Sequence, residues 1–197
     1  MFYPQERDEE ARKKWLEDLA KLDIKKLLFL DETSSFVNIS RAYAWAHSSK
    51  RVFDSFPKGK KKRASLIAAI GINANLAEHA LVHPESVDKN AFKAYLEHVL
   101  LPKLEPGTTL VMDNWTVHKG DDVSELVESY GCKILYLPTY SPDFNPIEYL
   151  FSKIKAFIKK LRPMNLDDLM DAFSDAAESI TLQNIAHSFK HCGYLVL

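Results

Sequence analysis

Three acidic residues, Asp31, Asp113 and Glu148, each stand at the edge of an expected element, and the question is whether their carboxylates meet there or only end strands and cap a helix. Each aspartate closes a short apolar run, L-L-F-L-D at 27–31 and L-V-M-D at 110–113. Glu148 follows N-P-I and falls in the first turn of an expected helix. Carboxylates gathered at one point offer only oxygen ligands, the donor set preferred by Mg²⁺ and Mn²⁺. Such ions activate a water or hydroxyl and stabilise a leaving oxygen during in-line displacement at phosphorus.

Each acid also has an ordinary explanation. An Asp just after a strand commonly starts a turn. Asn145, Pro146, Ile147 and Glu148 match the N-cap to N3 positions of a capping box, with Asn in the cap place. Glu32 must point to the strand face opposite Asp31, so only Asp31 of that pair can serve the site. On the helix after Asn145, an apolar stripe runs through Ile147, Leu150, Phe151, Ile154, Ile158 and Leu161. A second row holds Glu148, Ser152, Lys155, Lys159 and Arg162. A carboxylate heading three cations is either a solvated basic face or a carboxylate beside a phosphate-tracking stripe.

The elements that must position these acids are legible from periodicity. Residues 7–22 read as an amphipathic helix with Ala11, Trp15, Leu19 and Leu22 on one side, at the domain edge or leading to something upstream. The run 24–32 is too short for a helix and suits a buried strand. Residues 36–40 and 42–47 alternate as hairpin strands do, followed by a basic loop at 57–63 and a strand at 64–73. A turn and short strand follow at 73–82, then a helix at 88–101 with Phe92, Tyr95, Leu96, Val99 and Leu100 inward. A second apolar strand spans 108–114. A helix at 119–130 is capped by Gly131, and a strand at 132–138 is stopped by proline. Helices follow at 146–161, at 166–179 behind an Asn165 cap, and at 181–191. Strands first and then alternating helices and strands imply an α/β fold, a mixed sheet with helices on its faces. The runs ending at Asp31 and Asp113 lack polar alternates and belong at the sheet centre, with both aspartates at strand carboxyl ends.

Composition narrows the classes. The 197 residues, 46% hydrophobic and 27% charged, suit one soluble globular domain. No apolar run approaches the length that crosses a membrane, and the N-terminus has no signal-like apolar core. Two cysteines, Cys132 and Cys192, are too few for a disulfide framework or a cysteine-based zinc site, and point to a reducing, cytoplasmic setting. The net charge of −1 is not that of a dedicated nucleic-acid binder. Positive charge is nevertheless concentrated at K-G-K-K-K-R (58–63) and along the helix after Glu148. There is no P-loop, no G-x-G-x-x-G and no H-E-x-x-H. The F-L-D-E-T run suggests a phosphatase of the haloacid-dehalogenase type, but its second Asp is replaced by Thr33.

Three blocks together resemble a known family: F-L-D-E at 29–32, V-M-D-N-W-T-V-H-K at 111–119, and L-P-T-Y-S-P-D-F-N-P-I-E at 137–148. They are similar to the blocks of DDE transposases of the mariner superfamily, in its bacterial insertion-sequence branch. The 34 residues between Asp113 and Glu148 match that branch's spacing. The likeness covers residues 24–162 and implies a ribonuclease-H-like fold, with 1–23 an N-terminal helix or linker and 24–197 the catalytic domain with C-terminal helices. It implies two Mg²⁺ ions, replaceable by Mn²⁺, held by Asp31, Asp113 and Glu148, with Asn114, His118 and Asn145 supporting them. Lys58, Lys60, Lys61, Lys62, Arg63, Lys119, Lys155, Lys159 and Arg162 are the expected DNA contacts. The implied partners are transposon terminal inverted repeats and target DNA, with a second copy of the chain or an upstream-frame helix-turn-helix protein. Nucleoid association and absence of membrane contact follow. The implied activity is metal-dependent cleavage of DNA at transposon ends and strand transfer of the 3′-hydroxyl. Relatives carry N-terminal helix-turn-helix domains, for which the 30 residues before Asp31 leave no room. The expectation is a catalytic domain, a second reading frame or a truncated remnant; the alternative function is a catalytically silent or co-opted DNA-binding module.

Overall fold

A computed structural model of the chain describes residues 7–37, 39, 45–47, 50–53, 62–114 and 120–194. Half of the expected hairpin at 36–47, most of the basic loop at 57–63 and the W-T-V-H-K segment lie outside these residues. The centre is a five-stranded mixed sheet in the order β3-β2-β1-β4-β5. Its strands are β1 (Leu27–Phe36), β2 (Arg63–Ile70), β3 (Ala80–His83), β4 (Thr109–Met112) and β5 (Lys133–Tyr136). The first three pair antiparallel, while β1/β4 and β4/β5 are parallel.

Alternation along β1 divides the core in two. Leu27 and Phe29 face one cluster and Leu28 and Leu30 the other. The first cluster is covered by helices α4 (Ile147–Leu161), α5 (Leu166–Glu178) and α6 (Leu182–His191). The second is covered by α2 (Lys89–Tyr95) and α3 (Asp121–Ser129). Phe29 is fully buried between layers, edge-on to Phe189 at 5.4 Å and 5.2 Å from the Tyr194 ring. Asp88 caps α2 by accepting from Ala91 N at 2.8 Å, and Asn165 caps α5 by accepting from Asp168 N at 2.8 Å. Gly131, at φ +71°, ends α3 in the left-handed conformation that glycine adopts without strain. Thr181 and Asn184 form a reciprocal capping box on α6.

Several expected boundaries move. Strand β1 does not stop near Asp31; antiparallel pairing with β2 carries it on to Phe36. The strand expected over 64–73 ends at Ile70. The helix expected over 88–101 is α-helical only to Tyr95, then widens into a π turn at Leu96–Leu100 and tightens into a 3₁₀ turn before Leu104. The helix expected from 119 begins at Asp121, with Gly120 before it. Helix α4 stops at Leu161, which is exposed rather than part of the buried stripe. Arg162 follows in a left-handed conformation, off the helical row headed by Glu148.

The N-terminal helix α1 (Glu9–Leu19) is also turned differently from expectation. Trp15 is buried as expected, but Ala11 is exposed and Arg12 takes the second buried place. Arg12 enters the protein because a carboxylate, that of Asp143, awaits it.

Candidate active site

Asp31 lies in the middle of β1, not at its end as expected, but level with the place where neighbouring β4 stops. The last parallel pair is Leu30 with Met112, so Asp31 and Asp113 are the next residues along adjacent strands. Asp31 continues the Phe29 face of β1 and is buried. One carboxylate oxygen accepts from the backbone N–H of Glu32 at 2.8 Å, the other from the side-chain amide of Asn145 at 2.8 Å.

That second bond changes the reading of the Asn-Pro-Ile-Glu turn. Asn145 does not cap α4 with its side chain, and no capping box forms. Its amide is committed to Asp31 across 114 residues of sequence. Only its backbone carbonyl serves the helix, accepting from Glu148 N at 3.3 Å. Asn145 is almost completely buried, and its Oδ1 has no partner there. Such an orphaned acceptor in a polar cavity is costly unless a ligand or water reaches it.

The three acids border one cavity of about 390 Å³, with Asn114, Asn145 and Tyr140 also on its wall. A second cavity of about 490 Å³ shares the same acids and extends to Thr33, Arg63 and Ser86. Asp31, Asp113 and Glu148 therefore stand on the partition between two open spaces. Burial pushes the Asp31 carboxyl well above the usual carboxylate range, and the charge of Glu148 adds to this; Glu32 and Asp113 contribute further. Glu148 is exposed at its edge, yet protein packed around its carboxyl displaces enough water to raise it too. Lys155 opposes that rise and Asp113 reinforces it.

The acids share a cavity but not a ligand shell. Among the described residues no three carboxylate, imidazole or thiolate groups stand close enough to hold one ion together. The expectation that all three carboxyls already meet at one metal position is not met among these residues. The histidines carry two four-residue spacings, His79/His83 and His187/His191. Neither pair gathers a third donor of these kinds.

The expected DNA contacts divide. Arg63 reaches the second cavity, donates to Ser86 Oγ at 2.6 Å and lies over the Phe36 ring at 5.0 Å. Lys155 is near enough to act on Glu148. Lys62 and Lys159 are exposed, and Arg162 lies past the helix end. Lys58, Lys60, Lys61, His118 and Lys119 lie outside the described residues.

Tyr140 and Asp143 were not singled out in the sequence. Tyr140 is half-exposed on the first cavity and holds φ +55°, a conformation uncommon for a bulky residue. Its signal was its place inside the Y-S-P-D-F-N-P block. Asp143 matters through Arg12, a pairing no local pattern announces.

Comparison with known proteins agrees with this geometry. The family profile described as DDE superfamily endonuclease matches residues 26–170, and the chain belongs to that family. No match was found among curated protein sequences. Among solved structures the chain is similar to the Mos1 strand transfer complex, with TM-score 0.76 and 18% identity over 96% of this chain and 60% of that one. It is similar to the mariner Mos1 paired end complex with Mg, with TM-score 0.75 and 16% identity over 98% and 63%. The Mos1 transposase catalytic domain with Raltegravir and Mg gives TM-score 0.70 and 15% identity over 98% and 94%. The chain thus spans 60% of the chain in the strand transfer complex but nearly all of the catalytic domain. The mixed five-stranded sheet with helices on both faces is the ribonuclease-H-like fold of that catalytic domain.

Proposed function

We propose that the chain is the catalytic part of a transposase of the mariner superfamily, in its bacterial insertion-sequence branch. It cleaves DNA phosphodiesters at transposon ends and transfers the 3′-hydroxyl to target DNA. The observation that carries this reading is the meeting of Asp31, Asp113 and Glu148 on one cavity wall, from a strand, a strand end and a helix. Membership of the DDE superfamily endonucleases and the likeness to Mos1 strand-transfer and paired-end complexes support it. Asp31, Asp113 and Glu148 are its proposed catalytic residues.

The donor chemistry fits a hard divalent cation. All three side chains offer oxygen, the negative charges raise one another's proton affinity, and Asn145 leaves a buried oxygen unused. Asp31, Asp113 and Glu148 would hold two Mg²⁺ or Mn²⁺ ions by drawing together around them. When bound, these ions supply Lewis-acid activation of the attacking oxygen and charge neutralisation at the leaving oxygen. Mos1 paired end complexes have been solved with Mn and with Mg.

The chain's own residues supply the rest. Asn145 and the Glu32 N–H hold the Asp31 carboxylate in one orientation, so ligation needs no search among rotamers. Lys155 favours the ionised form of Glu148 at the cavity mouth. Arg63 places a cation in the adjoining cavity, where a flanking phosphate of the same strand would lie. Residues 1–23 act as an N-terminal helix or linker, carrying α1, that leads into the domain at 24–197, and the chain works in the cytoplasm on nucleoid DNA, as a homodimer or with a helix-turn-helix partner from an upstream frame.

The test is incubation of the purified chain with terminal-inverted-repeat DNA and Mn²⁺. The expected result is nicking by the wild type and none by Asp113→Ala. Equal nicking by both, or by neither, overturns the catalytic reading.

A further inference from the structure

Both ends of the described chain close on the same short turn. Residues 142–144 form a single 3₁₀ turn that leads along the cavity wall from Ser141 to Asn145. From α1, the Arg12 guanidinium makes a two-pronged bond to Asp143, at 3.0 Å to Oδ1 and 2.6 Å to Oδ2. The same guanidinium lies 3.8 Å above the Phe144 ring. Trp15 stacks on Phe144 with centroids 5.2 Å apart and planes 11° from parallel. From the C-terminal side, the Tyr194 hydroxyl donates to the Phe144 carbonyl at 2.5 Å.

The next residue is Asn145, whose amide holds Asp31, and three residues on is Glu148. We propose that Arg12 and Trp15 are positioning residues for the reaction: α1 clasps the 142–144 turn, and through it fixes Asn145 against Asp31. This rests on the catalytic reading above and deepens it, because it makes a helix outside the sheet part of the active-site scaffold.

The type of contact is what argues for a positioning role. Arg12 is 5% exposed, so its charge has been taken out of water. A buried ion pair is a poor way to gain stability, since desolvation offsets most of its Coulomb attraction. A leucine against Phe144 would hold α1 as well. What a two-pronged Arg–carboxylate pair adds is direction: both planes and both oxygens are fixed at once. The turn it fixes has little packing of its own beyond Phe144, and Asp143 keeps one face toward water. Without the clasp, Asn145 still has its neighbours, but the backbone that aims its amide is free to settle elsewhere.

The experiment uses the full chain in two measurements. In the resting protein, without DNA or metal, the side-chain amide resonances of Asn145 are followed by ¹⁵N NMR in wild type, Arg12→Gln, Arg12→Lys and Asp143→Asn. Arg12→Gln and Asp143→Asn are expected to shift or broaden them, and Arg12→Lys to shift them less. In the nicking assay with Mn²⁺, Arg12→Gln is expected to lower kcat about tenfold with little change in KM for DNA, as for other residues that orient metal-binding side chains; Arg12→Lys recovers part of it. Folding is checked by circular dichroism and Tm, and Asp143→Asn, nearly isosteric, carries the test if Arg12→Gln does not fold. Unmoved Asn145 resonances in a folded variant overturn the inference, as does a full wild-type kcat. If the wild type itself does not nick, the catalytic reading fails, and the resonances alone decide whether α1 positions Asn145.

Discussion

The two walls of the site are built in opposite ways. Asp31, on β1, and Asp113, just past the end of the parallel strand β4, are placed by local pairing, Leu30 with Met112. Behind them lie fully buried residues such as Phe29, Leu30 and Met112. Asn145 and Glu148 stand on a turn and a helix start whose positions are set by contacts far away in sequence: Arg12 with Asp143, Tyr194 with Phe144, and Asn145 with Asp31. The first wall follows from strand formation alone. The second exists only once the N-terminal helix, the C-terminal residues and the sheet have met. A site made this way is complete only in the fully folded chain.

The largest expected effect tests the sheet wall. Asp113→Ala removes one of the three proposed ligands without disturbing a fully buried side chain, since Asp113 is only partly covered. The loss of several kcal/mol of transition-state stabilisation corresponds to about a thousandfold or more in nicking rate. Circular dichroism and Tm should stay near wild type. A comparable loss of Tm would mean that Asp113 serves the fold rather than the chemistry.

Asn145→Ala strikes the other wall and should cost less. It leaves all three acids in place but frees Asp31 from its amide. The expected reduction is about 10–100-fold in rate or in Mn²⁺ affinity, measured by metal titration of nicking. If Asn145→Ala were as damaging as Asp113→Ala, the two walls would not differ in the way the contacts suggest.

Asp31 links the walls, and its burial has a pH signature. Its folded carboxyl is raised well above the usual range, first by burial and then by Glu148. The folded chain thus retains a proton that the unfolded chain has already released. Stability must fall as pH rises from about 4, the ordinary carboxyl value, through the raised folded value, and the cost then persists at neutral pH. Asp31→Asn removes that cost. Denaturant unfolding in EDTA should find the variant more stable than wild type at pH 7.5, with the two converging near pH 4. Mn²⁺ should stabilise the wild type and not the variant. A variant less stable at every pH would show that the two hydrogen bonds to Asp31 outweigh its charge.

How much of this was legible in the chain follows the same division. Periodicity placed the central strands, the inward faces of α2 and α5 and the Asn165 cap, because alternation and helical spacing are local. It stopped β1 too early, since the continuation through Thr33 and Ser35 is polar and is sustained by β2 rather than by apolar residues. Local pattern alone made Asn145 a cap, because Asn-Pro-x-Glu is what a cap looks like when Asp31 is out of view; only the block resemblance named it as a support for the acids. Local pattern also left Arg12 in solvent, since a charge on an amphipathic helix is ordinarily exposed, and Asp143 lies 131 residues away. The acids themselves were found by block resemblance and spacing. What the sequence did not carry was how closely their carboxyls approach one another, which no local pattern encodes.

The smallest expected effect concerns Lys155, the cation nearest in influence to Glu148. It opposes the rise that displaced water and Asp113 impose on the Glu148 carboxyl. Lys155→Gln removes only that opposition, so the carboxyl rises further. The three acids titrate as a set, and the acid limb of the pH–rate profile belongs to that set rather than to one residue. With Lys155→Gln the limb should move toward higher pH while the plateau at saturating DNA stays near wild type. The displacement should shrink as salt is added to the wild type, because Lys155 acts across partly solvated space that ions screen. A limb that stays in place would assign Lys155 to DNA contact alone, visible as a raised KM. A limb that moves downward would mean that Glu148 is not among the groups whose ionisation the rate requires, and the helical wall would then be a support for Asp31 and not a source of ligands.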